Sequence, residues 1–173
     1  MKYLSPIGRE RPISKINIKL ENDIIGLDIV KAKPQVDRTI NIDLNGHMLG
    51  ISNFGINAKD TVFIYDNSEK PGTLNVKEVN VAGNLVVQDI LLDLRKVKNN
   101  GIFYATGKSS DDMKLYVDKK SMSFIGKDIV LEGVPKVMED SVLILETDNI
   151  KDIEKYQKEN IQNIFHFILL ISK

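Results

Sequence analysis

The chain has 173 residues with 24 basic and 24 acidic side chains, and it contains no cysteine. A chain of this length buries enough apolar surface to fold as one domain without a metal or a disulfide. The lack of cysteine excludes disulfide frameworks, thiol catalysis and thiolate metal sites. A formal net charge of zero argues against a general nucleic-acid binder, which would carry a basic excess.

Residues 1–14 are predicted to form an N-terminal arm. Two prolines and a glycine interrupt any regular element there, while Arg9 and Arg11 keep the segment solvated. We expect Arg9, Arg11 and the adjoining Lys15 to contact a partner protein. The segment also lacks the apolar stretch of a secretory signal. We therefore expect a soluble protein that is cytoplasmic as synthesised, with incorporation into a particle as an open alternative.

The remaining residues, 15–173, are predicted to form a single β-rich domain. Apolar and polar residues alternate from Ile16 to Leu20, which is typical of a half-buried strand, and a second strand is predicted over 24–30. Further short strands are predicted near residues 61–65, 73–81, 102–104, 113–117, 122–125 and 128–131.

The clearest local pattern is Asn45-Gly46 between two alternating runs. Asn-Gly at this place predicts a type I′ turn, because both central residues of that turn need a positive φ. The spacing predicts an antiparallel hairpin in which Leu44 faces His47 and Ile42 faces Leu49.

Residues 85–98 fit either one face of a helix or a long strand, and we favour the strand because the surrounding segments are β. Towards the C-terminus, strands are predicted over 142–146 and 164–171, with a helix over about 149–160 between them. This pattern indicates a βαβ element over about 141–172. The expected fold is mainly β (α+β): a β-sandwich or barrel-like sheet of short strands, completed by this strand-helix-strand unit.

No catalytic, cofactor-binding or metal-binding constellation is predicted. His47 and His166 are the only histidines, and they lack the spacing of a ligand pair. Gly107-Lys108-Ser109 resembles the end of a phosphate loop, but the first glycine of that motif is missing at position 102.

The sequence favours a non-enzymatic structural or interaction subunit of a larger protein assembly, for which a viral or phage-tail-like particle is one candidate. Partner subunits, either further copies or other chains, would contact the N-terminal arm and the sheet edges. Residues 1–40 carry eight basic against five acidic side chains, and residues 132–160 carry four against eight. Such ends suit head-to-tail contacts.

The alternative is a small-ligand-binding protein or an enzyme whose site is assembled from scattered Asp, Glu, Lys and Tyr residues. Under either hypothesis we expect neither a nucleic-acid partner nor a membrane span, because the longest apolar run, 164–171, is too short to cross a bilayer as a helix.

Overall fold

The computed structural model describes residues 14–29, 37–146 and 166–170, which contain fourteen β-strands and no helix. The strands are β1 (Ser14–Lys19), β2 (Ile24–Ile29), β3 (Arg38–Asp43), β4 (Met48–Ile56), β5 (Asp60–Tyr65), β6 (Thr73–Val81), β7 (Asn84–Leu94), β8 (Lys96–Asn99), β9 (Ile102–Ser109), β10 (Lys114–Val117), β11 (Met122–Ile125), β12 (Lys136–Val137), β13 (Val142–Glu146) and β14 (His166–Leu170). Every pairing between these strands is parallel. The fold is a parallel β-solenoid of about six turns.

Three ladders of parallel strands form the sides of the solenoid. The first ladder runs β1-β3-β5-β7-β9-β11-β13-β14. The second ladder runs β2-β4-β6 and continues through the C-terminal parts of β7 and β9. The third ladder uses the C-terminal parts of β4 and β6, followed by β8, β10 and β12. The long strands therefore bend at a corner and serve two ladders each.

The core consists of columns of inward-facing side chains, one from each turn. In the first ladder, Val62, Leu85 and Phe103 occupy the same position on successive strands, and each is almost completely buried. Side chains alternate between the two faces of a strand, so every second residue faces inwards. The inward columns of the three ladders pack against one another. The hydrophobic core is thus continuous along the axis of the solenoid.

The predicted β-sandwich or barrel with a C-terminal strand-helix-strand unit is wrong. The strand positions were read correctly in large part, but a sandwich or barrel of short strands needs antiparallel neighbours, whereas each strand here pairs with the equivalent strand of the next turn. The predicted helix over 149–160 lies outside the described residues. The strands on either side of it, β13 and β14, pair directly and in parallel.

The Asn45-Gly46 turn forms as predicted, but the hairpin does not. Asn45 and Gly46 have φ values of 49° and 80°, and the His47 amide donates to the carbonyl of Leu44 at 2.9 Å. The strands before and after this turn nevertheless belong to different ladders, with Ile42 registered against Ile64 and Leu49 against Leu74. The turn therefore makes a corner of the solenoid.

The strand interpretation of residues 85–98 is confirmed, since β7 and β8 cover them almost entirely. The two strands are separated by Arg95 and enter different ladders. Leu85, Leu92 and Val97 are buried in the core. The helix-like spacing in this stretch comes from a bent strand that changes ladder, because a change of direction disturbs the two-residue alternation.

Candidate functional site

A groove lies on the outer face of the third ladder. Asn80, Lys98, Tyr116 and Lys136 occupy one column, since each is registered against the next on β6, β8, β10 and β12. Their neighbours along each strand point into the core, so these four side chains face outwards. Together with Asn100, Asp118 and Met138 at the adjoining corner, they enclose about 350 Å³. We call this feature the third-ladder groove.

Glu78 fixes two lysines beside the groove. Lys98 Nζ donates to Glu78 Oε1 at 2.8 Å, and Lys96 Nζ donates to Glu78 Oε2 at 3.4 Å. The hydrogen bond from Lys98 is the largest of the interactions that lower the pKa of Glu78 to about 2. The same pair raises the pKa of Lys98. Glu78 is therefore ionised, and Lys98 is charged, throughout the physiological range.

Tyr116 lies at the centre of the lysines. The ammonium groups of Lys136 and Lys96 lie 5.6 Å and 5.9 Å from the centroid of its ring, which is within the range of cation–π attraction. Lys136 forms no ion pair with any other described residue. Glu78 thus compensates part of the charge of Lys96 and Lys98, and Asp118 adds a second carboxylate at the corner of the groove. Lys136 contacts the ring and has no carboxylate partner among the described residues.

The arrangement suits binding of an anionic, hydroxyl-bearing ligand. Lysine ammonium groups pair with oxyanions, and the amides of Asn80 and Asn100 can both donate and accept hydrogen bonds. No group of three or more His, Asp or Glu side chains that could hold a metal occurs within the described ranges.

The first turn forms a second notable surface, which we call the open end. Ile16 and Ile18 of β1 are 39% and 41% exposed, and Leu27 of β2, which is registered against the buried Ile51, is 41% exposed. A cavity of about 210 Å³ opens here between the first and third ladders. Apolar side chains of the solenoid interior are therefore accessible at this end.

A partly buried ion pair closes one side of that cavity. Arg38 binds the carboxylate of Asp60 through two nitrogens at 2.8 Å and 2.6 Å, and Asn57 donates to the same carboxylate at 2.8 Å. Burial acts to raise the pKa of Asp60, but the hydrogen bonds from Arg38 and Asn57 outweigh it and the pKa is lowered. The pair is structural, since it joins the start of β3 to the start of β5.

The residues that the sequence selected for partner binding lie elsewhere. Arg9 and Arg11 are outside the described residues. Lys15 lies on β1, exposed and registered against Thr39, so it belongs to the open end and not to the third-ladder groove. Its predicted contact with a partner stays a prediction.

The residues of the groove were not predicted from the sequence. The alternative hypothesis named scattered Asp, Glu, Lys and Tyr residues as a source of a site, but it did not select among them. The sequence does contain a short repeat at this place. Lys96-Val97-Lys98 and Lys114-Leu115-Tyr116 share a polar-apolar-polar pattern, and the structure pairs the two segments residue by residue. Two copies of so short a pattern are too few to reveal a repeat without the structure.

Within the described part of the chain, no helix is long and apolar enough to cross a membrane.

Comparison with known proteins gives the chain no relative. No family model matches it, and no curated protein and no solved structure is similar enough to count as a match. Functional inference therefore depends on the geometry of the open end and of the third-ladder groove.

Proposed function

We propose that the chain is a non-enzymatic structural subunit that assembles head to tail with further copies of itself, the open end of one solenoid stacking on the last turn of the next. The single observation that carries the proposal is the exposure of the core columns at the first turn. A viral or phage-tail-like particle is the kind of assembly for which such a subunit is suited, and that identification stays a prediction.

The inward column through Ile18 supports the proposal most directly. Its exposed fraction is 41% at Ile18, falls to 6% at Ile42 on the next turn, and reaches 0% at Ile64 on the turn after that. The side chains are of one type and occupy equivalent positions, and among the described strands β1 pairs on one side only, with β3. Complete burial of an isoleucine side chain is worth about 1.5–3 kcal/mol, and a stacked copy would supply the part that belongs to the exposed fraction of Ile18.

A second copy is the occupant that fits this end. An arriving parallel strand would continue the ladder, and the last turn of another solenoid offers such a strand in β14. The described residues 14–29 of the first turn carry two basic and three acidic side chains, so strand pairing and apolar burial would hold the contact rather than charge. A heterologous contact of this kind builds rods or rings.

The test compares Ile18→Lys with Ile102→Lys by light scattering of the full chain over a wide range of concentration. Ile102 is the matched control because it is also an isoleucine of the first ladder and is also 41% exposed, but it lies on an interior turn. We expect the unaltered protein and Ile102→Lys to form concentration-dependent oligomers, and Ile18→Lys to remain monomeric.

Three outcomes would contradict the proposal. A strictly monomeric unaltered protein would remove self-association, and oligomers that persist in Ile18→Lys would place the contact away from the open end. Dissociation by Ile102→Lys alone would assign the contact to the outer face of the first ladder. Circular dichroism of both variants shows whether the solenoid is retained in each case.

A further inference from the structure

We propose that the third-ladder groove binds an acidic oligosaccharide, with lysines pairing to its carboxylate or sulfate groups and asparagine amides binding its hydroxyl groups. The site lies on the side of the solenoid and not at its open end, so it is independent of the proposed assembly.

The charge of the groove selects an anionic ligand. Lys96 and Lys98 share the single carboxylate of Glu78, and Lys136 is held by the Tyr116 ring instead of by an acid. An ammonium group that contacts only an aromatic face keeps its hydrogen-bonding capacity, because the ring accepts none of its donors strongly. Lys136 is therefore the group most ready to bind an incoming oxyanion.

The other groups of the groove select a carbohydrate. The amide of Asn100 can both donate and accept, as recognition of a sugar hydroxyl requires, and Asn80, whose Nδ2 already donates to Glu78 Oε1 at 3.3 Å, keeps its amide oxygen and a second N–H. Tyr116 adds a half-buried ring with a hydroxyl group at the middle of the column. The volume of about 350 Å³ falls at the lower end of the range for small-ligand pockets and suits a short segment of a chain.

A nucleic acid fits the same surface less well. Binding to a phosphate backbone draws its strength from many lysine and arginine contacts. Here the lining offers two lysines, Lys98 and Lys136, and Glu132 takes up the neighbouring Lys114 at 3.0 Å, so a long phosphate backbone would find few partners. The chain as a whole has no basic excess.

Isothermal titration calorimetry on the full chain at low salt tests the proposal with four probes. A chondroitin sulfate tetrasaccharide carries both carboxylate and sulfate, and the desulfated tetrasaccharide carries carboxylate alone. Maltotetraose is a neutral sugar of equal length, and a short oligothymidylate supplies phosphate. We expect binding of one or both acidic sugars, with the desulfated probe distinguishing carboxylate from sulfate recognition, and no binding of maltotetraose.

Lys136→Ala and Lys108→Ala form the matched pair of variants. Both lysines are exposed on strands and form no ion pair with another described residue, but Lys108 lies on β9 away from the groove. We expect Lys136→Ala to weaken binding of the acidic sugar about tenfold, as loss of one charge-assisted hydrogen bond would. Lys108→Ala should bind as the unaltered protein does. Tyr116→Leu, which keeps an apolar side chain at the position, should also weaken binding.

The proposal fails if neither acidic sugar binds, if maltotetraose binds equally well, or if oligothymidylate binds more tightly than both acidic sugars. Equal weakening by Lys136→Ala and Lys108→Ala would also overturn it, because binding would then reflect diffuse charge and not the groove. Since Ile18→Lys leaves the groove intact, the same titration on that variant separates failure of this site from failure of the assembly.

Discussion

The first turn and the interior turns of the solenoid are built from the same kind of strand, yet they differ completely in burial. Ile16 and Leu85 occupy one inward column of the first ladder, and their exposed fractions are 39% and 0%. In a solenoid each turn packs only on its neighbours, so the number of neighbouring turns decides burial. In this column, the apolar residue types show that the side chains face inwards, but they do not show how deeply each side chain is buried.

The largest expected effect on stability comes from shortening a side chain of this column to alanine, once on an interior turn and once on the first turn. Leu85→Ala leaves a cavity between two packed turns and should lower the free energy of unfolding by about 4 kcal/mol. Ile16→Ala removes a side chain that is already in contact with solvent and should cost less than about 1 kcal/mol. Urea unfolding followed by circular dichroism measures both values on the same protein preparation.

Concentration serves as the control for that pair of variants. If copies stack on the open end, the cost of Ile16→Ala should increase as the protein concentration is raised, because the side chain is then buried in the assembly. Equal losses of unfolding free energy for the two variants in dilute solution would contradict the structure, because they would mean that Ile16 is packed as tightly as Leu85.

A smaller effect on stability is expected from replacing a glycine by alanine, once on an interior turn and once on the first turn. An added Cβ at Gly101 would lie 2.1 Å from the carbonyl oxygen of Gly83 on the preceding turn, so Gly101→Ala must displace backbone and should cost about 3 kcal/mol. Gly26 in the first turn has a φ of +85° with nothing within 4 Å of the added atom. Gly26→Ala should therefore cost only the conformational strain, about 1 kcal/mol.

Thermal unfolding of the two glycine variants measures this difference. Because the backbones of neighbouring turns lie close together at Gly101, we expect a much lower melting temperature for Gly101→Ala than for Gly26→Ala. A similar decrease in both would show that neighbouring turns do not constrain the corner.

The smallest effect concerns the charged outer surface. The pKa of Glu78 is lowered to about 2 in the folded protein, so the group adds stability above its ordinary pKa of 4.5 and loses that contribution as the pH falls towards 2. With solvent screening the contribution is about 1 kcal/mol. Glu78→Gln should therefore be less stable than the unaltered protein at neutral pH, and the difference should disappear in acid.

Asp23 in the first turn provides the matched comparison for Glu78. Its pKa is also lowered, chiefly by the Met48 amide, but it lies at the open end and is exposed. The stability difference between Asp23→Asn and the unaltered protein should change less with pH than the corresponding difference for Glu78→Gln. Denaturant midpoints of all three proteins at a series of pH values test this, and a larger change for the Asp23→Asn difference would contradict the structure.

The sequence by itself determined most of the local structure. Alternation located the strands β1, β3 and β5, and the β-rich surroundings correctly favoured strand over helix in β7. Asn45-Gly46 adopts the positive φ values that these two residue types favour. These features were predictable because each depends on a few adjacent residues, through side-chain alternation or through backbone sterics.

Only the tertiary structure decided which strands pair. The corner at Asn45-Gly46 is compatible with a hairpin or with a change of ladder, and the choice depends on whether another turn offers a parallel partner. The turns also vary in length: the registered positions Ser14 and Arg38 are 24 residues apart, while Asn84 and Ile102 are 18 apart. No fixed period is therefore visible in the sequence. The third-ladder groove follows from this register, because residues distant in sequence, such as Glu78 and Lys98, meet only when turns stack.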